Sequence, residues 1–181
     1  MTYEDIQGWF DFQALYDRIV AAAHGGDTFI EIGAWLGKST AYMGQRIKES
    51  GKAVTFYAVD TWQGSASEPD QLKAGAESDL YLTFLANMNA CGVGDVVLPV
   101  RMNSLDAALR LPPADFIFLD ADHSYDAVMA DLKAWLPKVK PGGTFAGHDW
   151  NSSDGVPRAV RALLPTRHHI EGNCWVVNVP R

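Results

Sequence analysis

A chain of 181 residues has room for one domain-sized core, because a single core commonly serves roughly 100–200 residues. Its 48% apolar and 20% charged residues exclude intrinsic disorder, being close to ordinary globular usage. Twenty-two acidic against 15 basic residues give a formal charge of −7 with no Lys/Arg cluster, which argues against nucleic acid and anionic membranes as partners, since both demand a basic face.

Residues 6–23 carry Ile6, Trp9, Phe10, Leu15, Tyr16, Ile19 and Val20, a stripe that predicts an amphipathic helix ending at His24-Gly25-Gly26. The start, MTYEDIQGWFDFQ, has no basic, unbroken apolar leader, and no later run approaches the ~18 apolar residues of a membrane span, so a cytoplasmic protein is expected. A homodimer paired through the N-terminal helix is conceivable. Thr28 to Gly33 predicts a strand closed by glycine, and Lys38 to Ile47 a helix. The unit then repeats, with a strand over 54–59 and a helix over 80–88. Between them the 64–78 segment is longer than most connections and reads as a lid or binding segment. Further strands are expected at 96–100, at 115–119 and, after the turn Lys140-Pro141-Gly142-Gly143, up to Gly147. Helices are expected at 104–111, at 125–136 before Pro137, and from Pro157 to Leu164. Two last strands, 168–170 and 174–179, have no helix between them and predict an antiparallel hairpin. Cys91 and Cys174, without CxxC spacing, read as two buried free thiols.

This β-then-α alternation predicts an α/β fold over 1–181: one domain with a doubly wound, mostly parallel seven-stranded sheet, helices on both faces, and an N-terminal helical segment over 1–26. Ligands of such sheets sit at the carboxyl ends of the strands, near the switch in strand order. Five loop mouths therefore hold the candidate site.

The first, Glu31-Ile-Gly33-Ala-Trp35-Leu-Gly37-Lys-Ser39, has a tight turn at Gly33, a position for close ligand approach at Gly37, and Ser39 where free N–H groups collect. Its spacing matches neither the dinucleotide fingerprint nor the phosphate loop, and Glu31 suits a cation rather than a phosphate. Asp60, followed by Thr61 and Trp62, ends the second strand where an acid accepts the two hydroxyls of a ribose; a turn or helix cap is the alternative. Ser104 lines an adenine edge or, equally, caps the next helix. Asp120 and Asp149 end strands expected to lie side by side, so the two carboxylates repel unless a cation lies between them. The ligand set Asp120, Asp149 and His148 suits Mg²⁺ or another divalent cation; otherwise one aspartate caps a helix and the other pairs with an arginine such as Arg158. His123, three residues after Asp120, is the candidate general base, with His148 its rival.

Together these mouths resemble those of class I S-adenosylmethionine-dependent methyltransferases, and within them the metal-assisted small-molecule O-methyltransferases. Glu31-x-Gly33-x-Trp35-x-Gly37-x-Ser39 is similar to the first motif in the aromatic version shared with catechol O-methyltransferases, and Pro141-Gly142-Gly143 is a further family feature. VDTWxG, LDADHSY and GHDW resemble the bacterial branch related to the macrocin and mycinamicin sugar O-methyltransferases. Position 150 is Trp where catechol-type enzymes carry an amide ligand, and 148 is His where the macrolide branch carries Glu. The resemblance implies a Rossmann-like methyltransferase fold, S-adenosylmethionine bound by Asp60 and Ser104 among others, and a metal held by Asp120 and Asp149. It further implies His123 in the place of the catalytic lysine, with a small-molecule hydroxyl as acceptor. Two other readings stay open: a metal-independent N- or O-methyltransferase using His123 or His148 alone, and a non-catalytic S-adenosylmethionine-binding protein.

Overall fold

The computed structural model describes residues 1–64 and 79–181; from residue 65 on, the expected lid lies outside the described residues. Seven strands form one sheet: β1 (Thr28–Ile32), β2 (Thr55–Asp60), β3 (Val97–Arg101), β4 (Ala114–Leu119), β5 (Val139–Gly147), β6 (His168–Glu171) and β7 (Cys174–Asn178). Their spatial order is β3-β2-β1-β4-β5-β7-β6. β1 to β5 run parallel, and β7 lies antiparallel between β5 and β6, as the hairpin reading requires.

Among the described residues six α-helices flank it: α1 (Gln13–Ala22), α2 (Lys38–Ser50), α3 (Leu80–Ala90), α4 (Ser104–Arg110), α5 (Tyr125–Trp135) and α6 (Gly155–Leu163). The strands are rich in β-branched and aromatic residues whose side chains alternate between two cores. Phe29, Phe116, Phe118, Ala146 and Val176 pack under α1, α2 and α3. Ile30, Ile117, Leu119, Phe145 and Trp175 pack under α4, α5 and α6. Both faces are covered, which is why β4 reads Phe-Ile-Phe-Leu from 116 to 119 without a polar interruption.

Four expectations change. The opening helix starts at Gln13 rather than residue 6: Tyr3–Asp5 is a single 3₁₀ turn, and Gly8, at φ 138°, lies in a region helices do not use. Trp9 is therefore 75% exposed instead of joining the buried stripe. The Lys140-to-Gly143 turn lies inside β5, where the pairing with β4 jumps from Ala114↔Val139 to Phe116↔Thr144 and loops out the intervening residues. Pro157 falls in the first turn of α6, where its missing N–H costs nothing, so the helix begins two residues earlier. Cys174 is buried and Cys91 only half-buried; both are free thiols.

The strand order reverses between β1 and β4, and the carboxyl ends on either side of that switch open a crevice where ligands of such sheets bind. Among the described residues no helix is long and apolar enough to cross a membrane.

Candidate active site at the switch point

A cavity of about 370 Å³ opens at this switch, within the range of small-molecule sites. Of the residues singled out from sequence, Gly33, Trp35, Asp60, Thr61, Trp62, Ser104 and Asp120 line it. Glu31, Gly37 and Ser39 do not.

Glu31 points to the other face of β1, where Tyr16 Oη donates to its Oε1 at 2.8 Å and the Thr40 hydroxyl donates to Oε2. The side chain is 1% exposed. Burial lifts its carboxyl to about 7 despite the hydroxyls of Thr40, Ser39 and Tyr16. Period-two alternation explains the placement, since Glu31 shares a face with Phe29 while Ile32 faces the cavity side. The close approach at Gly37 is likewise made by the protein itself: a Cβ there would lie 2.4 Å from Met88 Cε and 2.9 Å from the Phe84 ring. Gly33 serves the strand junction, because a Cβ would lie 1.8 Å from the Asp120 carbonyl oxygen.

Asp60 organises the first two mouths. Its Oδ2 accepts from the Trp35 N–H at 2.8 Å and its Oδ1 from the Trp62 N–H at 2.7 Å, while the Trp62 indole N–H donates to the Trp35 carbonyl at 2.8 Å. Each carboxylate oxygen keeps a lone pair for a ligand. Trp35 and Trp62 hold φ of 45° and 52°, and Asp149 holds 61°; these are the non-glycine residues with positive φ among the described residues. All three stand at strand ends around the switch, where a surrounding network must hold such backbone in place.

Ser104 is the first residue of α4, not its cap. Asn103 caps the helix, its side chain accepting from the Asp106 N–H. The Ser104 hydroxyl donates to Asp131 Oδ1 at 2.5 Å and accepts from the Trp135 indole N–H at 2.8 Å.

At the tips of β4 and β5, Asp120, His123 and Asp149 place their ligand atoms within 4.8 Å of one another. His123 Nε2 is 2.8 Å from Asp149 Oδ2 and 3.5 Å from Asp120 Oδ1. Hydrogen bonds to Asp120 and Asp149 raise the imidazole to about 10 against its partial burial. His123 is thus an imidazolium at neutral pH and must lose a proton before it can take one. Burial pushes the Asp149 carboxyl up, but the two histidines overcome it and hold it well below the usual carboxylate range. Asp120 is raised, chiefly by burial.

His148 is held apart from this triad. Its Nε2 meets Asp11 Oδ1 at 2.8 Å and Asn173 Nδ2 at 3.2 Å, and its Nδ1 lies 3.5 Å from Asp149 and 3.9 Å from Asp120. Burial lowers its basicity, yet Asp149, Asp120 and Asp11 lift it to about 9. The arginine alternative for the aspartate pair is not seen: Arg158 bonds Asp154 at 3.0 Å and stacks on Tyr125. Asp11, Asn173 and Asp122, the last lining the cavity, carry no spacing signal in the sequence and are identified only by the fold.

Comparisons with known proteins give the family of the chain. A family model described as "Methyltransferase domain" matches residues 30–150. A curated relative, uncharacterized protein y4gI of Sinorhizobium fredii, is 26% identical over 121 residues, which is 66% of this chain and 13% of that protein, so the chain spans about an eighth of its relative's length. Among solved structures, the O-methyltransferase NovP superposes with TM-score 0.67 at 16% identity, over 93% of this chain and 79% of NovP. The O-methyltransferase from Bacillus cereus in complex with SAH gives 0.63 at 15%, over 96% and 83%. MycE of the mycinamycin biosynthetic pathway, in complex with Mg, SAH and mycinamycin VI, gives 0.59 at 17%, over 97% and 51%. These identities establish a shared fold. Because the family match runs from Ile30 in β1 to Trp150 beyond β5, and so takes in the whole switch point, the chain belongs to the methyltransferase-domain family.

Proposed function

We propose that the chain transfers the methyl group of S-adenosylmethionine to a hydroxyl of a small molecule. The observation that carries this reading is the cavity at the β1/β4 switch, with Asp60 on its β2 side and Asp120 on its β4 side. A ribose at Asp60 would use the oxygen lone pairs left free by Trp35 and Trp62, and the sulfonium would lie toward the carboxylates at the β4 and β5 tips. The acidic mouth favours a cationic cofactor and gives no grip on a pyrophosphate.

In the reaction an acceptor oxygen attacks the methyl carbon in line. The O–C bond forms as the S–C bond breaks, the electron pair stays on sulfur, and the hydroxyl proton passes to His123 in its deprotonated form or to solvent. Alignment is the chain's main contribution, worth about 7–11 kcal/mol when the geometry is right. Asp120, His123 and Asp149 fit a divalent cation, since two carboxylates and an imidazole nitrogen converge within 4.8 Å. A cation held there would lower the acceptor hydroxyl's pKa. Without one, imidazolium His123 neutralises the same carboxylates through its 2.8 Å ion pair with Asp149, the arrangement that a second reading, a metal-independent transfer, would use.

Calorimetry with S-adenosylmethionine and S-adenosylhomocysteine tests the first step. Both should bind, and Asp60→Asn, which keeps one carbonyl acceptor but loses the charge, should weaken each about tenfold or more. Unchanged affinity in the variant would sink the reading. Turnover against a panel of hydroxyl acceptors in excess chelator then separates the two mechanisms: lost activity supports the cation and full activity the imidazolium.

A further inference from the structure

Asn173 lies outside the family match and takes part in no step above, yet it holds the loop that carries Asp149. The register that sets Gly147 of β5 opposite Trp175 of β7, continued two residues past the strand ends, brings Asn173 opposite Asp149. Asn173 is the second residue of the two-residue turn that joins β6 to β7, after Gly172 at φ 62°. Its backbone and side chain bind three consecutive loop residues. The Trp150 N–H donates to its carbonyl at 3.0 Å, the Asn151 N–H donates to its Oδ1 at 2.7 Å, and its Nδ2 donates to the Ser152 hydroxyl at 2.8 Å. Ser153, next along, donates from its own hydroxyl to the His123 carbonyl at 3.2 Å. The loop is thus tied to the hairpin on one side and to the β4 mouth on the other.

Asp149 stands directly before this tied stretch and holds left-handed backbone at φ 61°, a conformation that a residue with a Cβ keeps only where its surroundings impose it. A return to right-handed backbone would rotate φ by about 120° and carry the carboxylate off the His123 imidazole, which it now meets at 2.8 Å. We propose that Asn173 is the positioning residue for Asp149: its amide accepts from one loop residue, donates to the next, and so imposes the left-handed turn that aims the carboxylate at His123. An apolar side chain at 173 would leave the Asn151 N–H and the Ser152 hydroxyl to water, and nothing would then oppose relaxation at Asp149. Resting on the methyl-transfer reading, the inference adds that the hairpin tip sets the acceptor end of the site, while Asp60 sets the cofactor end independently.

NMR of the whole chain, with no ligand added, tests the geometry. In the wild type the Asn151 amide should exchange with solvent about tenfold or more slower than an unbonded loop N–H, and the His123 ring protons should show a cross-relaxation peak to the Asp149 β-protons. Free exchange at Asn151, or no such peak, overturns the proposal and needs no variant. Asn173→Ala should abolish the peak while the methyl signals of Ile30 and Ile117, buried in the central strands, keep their positions. Asn173→Asp should retain it, because a carboxylate still accepts from the Asn151 N–H and from the Ser152 hydroxyl. A peak that survives in Asn173→Ala, or vanishes in Asn173→Asp, overturns the proposal. Turnover gives a second readout: Asn173→Ala should lower kcat about tenfold or more and leave the affinity for S-adenosylmethionine in place, since only the acceptor end loses alignment. Equal loss of both would mark a general loosening of the fold and overturn it. Exchange and cross-relaxation need no cofactor, so failure of S-adenosylmethionine to bind would remove the methyl-transfer reading and leave the positioning of Asp149 standing.

Discussion

At the level of single residues, the sheet sorts the acids near its carboxyl edge by side. Glu31 and Asp60 stand near the ends of adjacent strands and look equivalent in sequence, yet one is sealed between α1 and α2 while the other stands at the cavity wall. The difference has a measurable consequence. The folded-state pKa of Glu31, about 7, lies above the unfolded value near 4.5, so folding favours its protonated form. Its contribution to stability is therefore complete below about pH 4.5 and is lost as pH rises through about 7. At about 1.4 kcal/mol per pKa unit the loss is on the order of 3 kcal/mol. Glu31→Gln, uncharged throughout, should remove this part of the pH dependence, so the stability difference between variant and wild type should grow in favour of the variant from pH 4.5 to pH 8. Urea unfolding at both pH values checks it; a difference that stays constant across the range would show that the carboxyl ionises in the core at no cost.

At the level of elements, α2 shows where sequence reasoning succeeds and where it stops. Gly37 marks the start of that helix in sequence, and the helix does begin at Lys38. The reason for glycine there, however, lies 47 and 51 residues on, in Phe84 and Met88 of α3, which no local pattern reveals. The order of strands and helices was legible because both cores repeat at the periods of two and 3.6 residues, and the β6–β7 hairpin because no helix separates its strands. The start of α1 was not legible: Ile6, Trp9 and Phe10 keep a helix-like apolar spacing while lying outside any helix, and only Gly8 hints at the break. In the site, Asp60 and the Asp120/Asp149 pair were legible from their place at strand ends. The anchors of Glu31 and His148 were not, because Tyr16, Thr40, Asp11 and Asn173 become neighbours only through tertiary packing. For Gly37→Ala, left-handed backbone at φ 88° and the collision with the Phe84 ring combine, and Met88 can swing only its tip aside. The expected cost is about 2–4 kcal/mol, read as a lower denaturant midpoint at unchanged slope. A loss under about 1 kcal/mol would mean that α3 shifts freely against the first mouth.

Across the whole molecule, the N-terminal stretch before α1 ties the two halves of the carboxyl edge together. Trp9 stacks on Trp35 at the β1 mouth, with ring centroids 6.3 Å apart and planes within 16°, while Asp11 reaches His148 at the β5 mouth. Between them Phe12 is driven into the core: its ring sits 4.6 Å from Phe118 on β4, 5.1 Å from Tyr16 on α1 and 5.0 Å from the His148 imidazole. One side chain thus joins a segment outside the family match to the central strand and to the candidate site. Trp9, three residues away and larger, has little burial to lose. The two substitutions should therefore separate in a way that neither size nor sequence position would suggest. Phe12→Ala opens a cavity in the core and should cost about 3–5 kcal/mol, and Trp9→Ala about 1 kcal/mol or less, the worth of one exposed stacking contact. Because Phe12 also walls His148, its loss should shift the resonances of that imidazole in proton NMR, where Trp9→Ala leaves them in place. Equal destabilisation by the two substitutions would mean that the N-terminal stretch adds to the fold only as exposed surface, and that the β5 mouth is positioned without it.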